Sequence, residues 1–350
     1  MTGPRRVAYV LDPRFPGGTS SAVAEELRAI APLCRPVVHA VSSRMFAGPD
    51  PAPPLAAAFD ALGIAPVWDA DTISADTVIL HNPSFLKFQS EFGRRVLCRH
   101  LIVVSHENFL RPGGEEAFDT AGCLAQIDRA TLALRKSLAP ISAHNRATVT
   151  AWRDRFGLPS GWDMLPDDWF NICDLPMTPP TGTPCDRRGR HSRPGFEKFP
   201  PPADLDLCFP RHAETNVILG ADLMIAEGAP PHWQVYPFRG LDLERYFGMI
   251  DFMVYFTAPT WQESFGRVLA EGIAAGKVVI ADPATAAGFG GGVIGARPDE
   301  VDGIIRAFVN APERYADHVR MAQAALAGFS AEAFRARFAA LLGPRVGAAA

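Results

Sequence analysis

The run VAYVLD (7–12) is apolar up to its closing acid, and SSAVAEELRAIA (20–31) behind it repeats apolar residues at intervals of three and four. The first pattern predicts a strand covered on both faces, and the second a helix that covers it. PVVHAV (36–41), TVILHN (77–82) and HLIVVSH (100–106) predict further strands, and segments near 53–62, 84–95 and 121–137 carry helical spacing between them. Residues 138–156 add LAPISA and then HNRATVTAWRDRF, one more strand and helix. Strands that alternate with helices predict a parallel sheet with helices on both faces.

From 157 to 215 the pattern breaks, and Pro, Gly, Asp and Arg dominate in GLPSGWDMLPDDWF and LPMTPPTGTPCDRRGRHSRPG. A linker and a long loop are expected there. Alternation returns with NVILGA (216–221), HWQVYPF (232–238), a helix at 241–248, and DFMVYFT (251–257). A helix at 263–275, the strand KVVIAD (277–282), helices near 299–310 and 312–326, and an amphipathic helix at 330–343 follow. The fold class is α/β, with Rossmann-like domains over 1–165 and 189–329, a linker over 166–188, and a terminal helical segment over 330–350. The only low-complexity tract is the tail GAAA at 347–350.

Composition narrows this picture. A chain of 350 residues exceeds what one hydrophobic core usually fills, and 48% hydrophobic with 21% charged residues describes a globular protein. The formal net charge of -4, with no run of one sign, argues against a nucleic-acid partner. Phosphate binding must therefore come from a few placed cations and backbone amides. The six cysteines are scattered without a C-x-x-C pair, which predicts reduced thiols in a cytoplasmic protein. The N-terminal apolar run is too short for a signal peptide, and no stretch approaches the roughly 18 apolar residues of a membrane span. Peripheral contact with a membrane surface is left open.

Four stretches carry candidate chemistry. In TWQESFGRVLAEGIAAGKVVIADP (260–283), a turn at Ser264, Phe265 and Gly266 opens a helix, flanked by Glu263 and by Glu271 eight positions on. Free amides at a helix start suit a diphosphate, and the two acids suit sugar and ribose hydroxyls. Thr260 to Glu263 fits a capping box equally well, and Glu271 fits a solvated helix face. In GRHSRPGFEKFP (189–200), Arg193 and Lys198 lie five apart in a Pro/Gly loop, suited to neutralising a leaving diphosphate or simply to a solvated basic loop. Gly17 and Gly18 sit between the first strand and its helix, the place of a phosphate loop or of a plain helix start. His106, Glu107 and Asn108 close the strand at 100–106, where α/β enzymes place working groups. Asp69-Ala70-Asp71 resembles a metal-binding D-x-D, but it sits in a loop with no basic residue near it in sequence and reads as turn chemistry.

The Gly-Gly loop, then Arg193 with Lys198, then the E-x7-E pair Glu263/Glu271 resemble, in that order, the retaining GT-B glycosyltransferases of group 1, which include glycogen synthase and sucrose synthase. The resemblance spans nearly the whole chain and is strongest over 189–283. It implies two Rossmann-like domains facing each other across a cleft, an acceptor side in the first and a donor side in the second. The terminal helix would cross back to the first domain. A nucleotide-sugar would be the co-substrate, without metal or other cofactor, and a glycan, a lipid-linked group or a small molecule the acceptor. Arg193 and Lys198 would stabilise the departing nucleoside diphosphate, and Glu263 would face the donor hexose. Amides of Ser264, Phe265 and Gly266 would meet the phosphates, and Glu271 the ribose. Backbone at Pro237 and Phe238 would border the base, Gly17 and Gly18 would approach the phosphates from the other side, and His106 would contact the transferred sugar. Arg14, Phe15, Phe85, Phe88, Phe109 and Arg111 would shape the acceptor surface.

The chain departs from that pattern at one place. The apolar strand expected ahead of the Arg–Lys loop reads TGTPCDRRGR, so either the strand is lost or LDLCF (205–209) replaces it. Three rivals stand beside transfer: an epimerase or phosphorylase on the same scaffold, a non-catalytic relative that binds sugar nucleotides, and a two-lobed solute-binding protein.

Overall fold

The computed structural model describes residues 5–343. The alanine tail and the outer ends of the segments 1–165 and 330–350 lie outside the described residues. The chain divides into two compact units, one running up to Ile172 and rejoined from Phe329 onward, the other Cys173–Gly328.

In the first unit, Val7–Leu11 forms β1, with all five side chains buried because both faces of the sheet are covered. Helix α1 (Gly18–Ile30), β2 (Val37–Ala40), α2 (Pro53–Leu62), β3 (Val67–Trp68), β4 (Thr72–His81) and β5 (Arg95–Ser105) follow. They are succeeded by α3 (Thr120–Ala130), β6 (Thr131–Pro140), α4 (Ala143–Phe156) and β7 (Trp162–Met164). The sheet runs in the order β3-β2-β1-β4-β5-β6-β7, parallel throughout. From β1 the chain lays β2 and β3 to one side and then returns to lay β4 on the other. Such a reversal opens a crevice beyond the strand ends, here after β1 and β4.

Two helical expectations fail in this unit. Over 84–95 the chain makes one short 3-10 turn, Pro83–Leu86, and is in β5 from Arg95. Over 121–137, α3 stops at Ala130 and β6 begins at once. The reason is backbone pairing: Thr72–Ala75 of β4 and Thr131–Ala133 of β6 extend the ladder on both sides of β5. Leu132 and Leu134 point outward, 75% and 82% exposed, so their spacing was not a buried helical stripe.

The second unit has the order β10-β9-β8-β11-β12-β13, again all parallel. Its elements are β8 (Arg187–His191), α5 (Pro202–Cys208), β9 (Thr215–Leu219), α6 (Asp222–Glu227), β10 (Gln234–Tyr236), α7 (Leu243–Gly248) and β11 (Phe252–Tyr255). Then come α8 (Arg267–Ala274), β12 (Val278–Ala281), α9 (Pro283–Ala286), β13 (Val293–Gly295), α10 (Val301–Val309) and α11 (Pro312–Leu326). The last helix, α12 (Ala331–Leu342), belongs to the first unit, where Phe334 and Phe338 pack edge-on against Trp169.

The strand missing from the sequence pattern is present, and it is β8, flanked by β9 and β11 in the middle of its sheet. It starts within the segment read as a linker. LDLCF does not replace it, since Leu205–Cys208 lies in α5. A strand reading RRGRH survives here because its guanidiniums find carboxylate and carbonyl partners, several of them far off in sequence. Arg188 bonds both carboxylate oxygens of Asp186 at 2.6 and 2.9 Å, Asp302 Oδ1 at 2.7 Å, and the Cys208 carbonyl at 3.1 Å. Arg187 holds Asp251 through two nitrogens at 2.8 and 3.0 Å. Between Arg188 and Arg190, Gly189 leaves room for its neighbours, because a Cβ there would lie 2.8 Å from Ile250 and from the Tyr246 hydroxyl.

Gly220, just past β9, has φ +87, and a Cβ would fall 2.0 Å from the Ser192 carbonyl oxygen. We expect Gly220→Ala to cost about 1–3 kcal/mol, measured by denaturant unfolding. A cost near zero would show that the two backbones do not meet.

Candidate functional site

Beyond β8 the chain turns through Arg193–Gly195 into a 3-10 turn, Phe196–Lys198. Lys198 is buried by this turn, and its Nζ donates to Glu263 Oε1 at 2.5 Å. Tyr255, at the end of β11, donates its hydroxyl to the same oxygen at 2.7 Å. The Trp261 ring lies 5.2 Å from the ammonium. A lysine, a glutamate and a tyrosine thus converge at the carboxyl ends of adjacent strands.

Arg190 underlies this cluster. It is wholly buried, donates to the Phe256 carbonyl at 3.2 Å and to the Lys198 carbonyl, and lies 4.0 Å over the Phe199 ring. Among the described residues no carboxylate forms an ion pair with it. Its bonds go to backbone, so it ties the lysine turn to the end of β11. Sequence reasoning passed over Arg190 and Tyr255. The available signal was Arg188 and Arg190 two positions apart in RRGRH, on one face of a strand, but that stretch was read as a damaged strand.

Arg193 and Lys198, treated as a pair in the sequence, are separated in environment. The Arg193 side chain is 56% exposed and meets Glu197 at 3.2 Å. Only Lys198 reaches Glu263.

Helix α8 begins at Arg267, with Gly266 as its N-cap in a left-handed conformation, φ 84. Thr260 therefore caps nothing, and the capping-box alternative is excluded: residues 260–266 form an irregular turn, not a first helical turn. Phe265 is buried against Phe289 at 5.7 Å. Ser264 and Gly266 flank it ahead of the helix amides. Glu271 is not on a solvated face either. Its side chain is 19% exposed, 3.3 Å from Arg267 Nε and 3.6 Å from His191 Nε2, and burial raises its pKa. His191, edge-on to Tyr246 and Phe247, is pushed down to about 4 by burial and by neighbouring Arg190.

Pro237 and Phe238 follow β10, but their backbone is partly engaged. The Phe238 amide donates to Asp222 at 2.9 Å, and the Pro237 carbonyl accepts from Gly240 at 2.8 Å.

In the first unit, Gly17 caps α1 with no side-chain bond, and Gly18 has open space around its missing Cβ. Arg14, expected on the acceptor surface, is turned onto Asp12 at 2.7 Å and onto the Ser43 carbonyl at 2.8 Å. Phe85 and Phe109 belong to the core, whereas Phe88 is exposed and Phe15 half-buried. Phe85 and Phe109 pack in one buried cluster with Val78 and Leu80 of β4 and Leu101 and Val103 of β5. Arg111 is exposed. Asp69 does have a basic partner, Arg94 at 2.7 Å, and also accepts from Ser42, so the first acid of the D-x-D is held by protein.

His106, just past β5, lies 3.0 Å from His81 at the end of β4. The loop behind it is pinned: Ser84 donates to Glu107 at 2.6 Å, and Asn145 of α4 donates to the Glu107 carbonyl at 2.9 Å. Asn145 also accepts from Ser105 at 2.7 Å. Among the described residues, Glu26/His81/His106 and Asp186/His212/Asp302 are the groups whose ligand atoms lie close enough to hold a metal. The second is already neutralised by Arg188. No helix of the described residues is long and apolar enough to cross a membrane.

No protein-family model matches the chain, and no curated protein matches it. Solved structures do. Anabaena Alr3699/HepE, solved with UDP-glucose and with UDP and glucose, is 17% and 16% identical in the two structures. The match covers 97% of this chain and 99% of that one, with TM-score 0.65. Sucrose-phosphate synthase (tll1590) from Thermosynechococcus elongatus is 14% identical over 97% of this chain and 98% of that one, with TM-score 0.59. An alpha-glucosyltransferase (AGT) solved with UDP is 9% identical over 95% and 98%, with TM-score 0.53. These likenesses, together with the two parallel sheets, establish the GT-B fold.

Proposed function

We propose that this GT-B chain is a glycosyltransferase that moves a sugar from a nucleotide-sugar to an acceptor hydroxyl. The observation that carries the reading is the contact of Lys198 with Glu263 at 2.5 Å, beside the amide start of α8. An ammonium there stabilises a departing diphosphate, the amides receive its oxygens, and the carboxylate accepts from sugar hydroxyls. Glu271, about one turn into α8, takes the ribose hydroxyls. Lys198 and exposed Arg193 supply the charge that a metal provides in other transferases, so the reaction is read as metal-independent. Configuration is retained, with an oxygen of the departing phosphate taking the acceptor's proton. HepE and AGT were solved with UDP, which makes a uridine donor the first to test. Six free cysteines suit a reducing compartment and support a cytoplasmic setting. The rival reading as a non-catalytic relative drew its motive from a lost strand, and β8 is in place.

The deciding experiment is a thermal-shift series with UDP, GDP, ADP, dTDP and CDP, followed by release of the bound diphosphate from the matching sugar donor. A ligand that prefers the folded state raises the midpoint. No shift with any of the five, and no release, would overturn the proposal.

Glu271→Ala is expected to raise the donor KM about 10-fold or more, the worth of a hydrogen bond to a charged group, with little change in kcat. Steady-state kinetics with varied donor read this directly. An unchanged KM would remove Glu271 from the ribose.

A further inference from the structure

In the first unit, β4, β5 and β6 run on past their neighbours. Strand β1 joins β4 only from Thr77, and β7 joins β6 only from Lys136, so residues 72–75, 95–99 and 131–135 form a three-stranded extension. Its two faces differ. Ile73, Ala75 and Val96 belong to the core cluster, whereas Ser74, Arg95 and Leu97, which alternate with them, are exposed. Arg99, Leu132 and Leu134 are exposed as well. Leu97 and Leu132 stand opposite each other in the ladder. Leu97 is 42% exposed, and Leu134, at 82%, is the most exposed large hydrophobic side chain among the described residues.

The charges around these leucines are of one sign. Arg95 and Arg99 flank Leu97, and among the described residues neither guanidinium has an ion pair or a hydrogen bond. The segments TISA, RVLCR and TLALR contain no acid, although the whole chain carries a net charge of -4. Asp163, beside the extension, is already held by Arg135 at 2.9 Å. A scattered exposed leucine needs no explanation, but three that adjoin, set among unpaired arginines, form a contact surface.

Size and charge decide what that surface suits. Three strands about 4.8 Å apart and five residues long span roughly 200–250 Å². A standard protein interface buries about 800 Å² on each partner. A twofold second copy would also bring arginines toward arginines, with no acid on the face to meet them. A lipid surface requires neither a large area nor a register. Attraction to it adds up over each leucine that enters and each cation that meets a phosphate. Arginine stems lie along apolar surface while their heads reach outward to the headgroups.

We propose that this face docks the first unit onto a membrane surface bearing anionic lipids. Leu97, Leu132 and Leu134 enter the headgroup boundary, and Arg95 and Arg99 pair with lipid phosphates. None of the candidate site residues lies on the face, so docking stands or falls apart from the transferase reading.

The test is co-sedimentation of the full chain with vesicles of phosphatidylcholine holding about 30% phosphatidylglycerol, against vesicles of phosphatidylcholine alone. Binding should favour the anionic vesicles by at least about 10-fold at low salt and fade as salt rises toward about 0.5 M. Arg95→Gln with Arg99→Gln should lower partitioning by roughly 25-fold, about fivefold for each charge. Leu132→Ser with Leu134→Ser should lower it by about 10-fold for each leucine. These side chains lie in solvent, so both double variants should keep the wild-type thermal midpoint. No binding to anionic vesicles would overturn the proposal, and so would equal binding to neutral ones, or binding that either double variant leaves intact. A dimer seen by sedimentation velocity without vesicles, and dissolved by the leucine variant, would assign the face to a second copy and overturn it too. A chain that docks by this face yet transfers no sugar would sink the transferase reading alone.

Discussion

Lys198→Ala should lower kcat by about 10²–10³-fold while changing donor affinity far less, as expected when one pre-placed stabiliser of developing charge is removed. In the proposed reaction the lysine is held for that task. Its turn is anchored from below by Arg190 and its ammonium is oriented by Glu263 at 2.5 Å. Charge on the leaving diphosphate grows as the sugar departs, so the ammonium gains most in the transition state, and the loss appears in kcat rather than in KM. Glu263 stays hydrogen-bonded to Tyr255 in the variant, so its carboxylate is not stranded. Arg193→Ala should cost much less, since that side chain lies in solvent and pairs with Glu197. Turnover measured at saturating donor checks both. Equal losses in the two variants would mean that the loop acts as a general positive patch and that Lys198 has no special place.

Arg188→Ala should destabilise the second unit by about 3 kcal/mol, toward the lower end of what breaking a buried ion pair costs. The guanidinium is wholly enclosed, but Asp186 and Asp302 are 27% and 30% exposed and can turn to water when it is gone. What remains is a cavity in the middle of a six-stranded sheet and an unpaired Cys208 carbonyl. At 2–4 °C per kcal/mol for a unit of this size, the midpoint should fall by roughly 6–12 °C. Arg188→Met, which fills the space, should lose less. A pH signature accompanies the loss. Partial burial works to raise the Asp302 carboxyl, but Arg188 and His212 outweigh it and hold it down at about 2. A depressed carboxylate stabilises the fold above its unfolded pKa and loses that contribution as pH falls through the folded value. Wild type therefore sheds the Asp302 contribution between about pH 4 and pH 2, and Arg188→Ala should shed much less there. Calorimetry across that range separates the two.

Legibility differed by element. β1, α1, α2, β11, β12 and α11 were plain in the chain because their apolar spacing is fixed by what each buries beside itself. The extensions of β4, β5 and β6 were not, since backbone pairing across strands holds Leu132 and Leu134 in a sheet with their side chains in solvent. Glu263 and Lys198 were legible as candidates, but not their contact, which spans 65 positions. Arg193 looked equal to Lys198 in a string of letters and differs from it only by exposure. Asp69 looked free of bases until the fold brought Arg94 to it.

By itself the chain determined two α/β halves, the order of most strands and helices, and the residue types gathered near each strand's carboxyl end, because hydrophobic periodicity is a local property. Only the tertiary structure decided that RRGRH is a central strand. Its guanidiniums are paid for by Asp251, Asp302 and the Phe256 carbonyl, 64, 114 and 66 positions away. A buried charge is tolerable or ruinous according to partners that no neighbouring letter can announce.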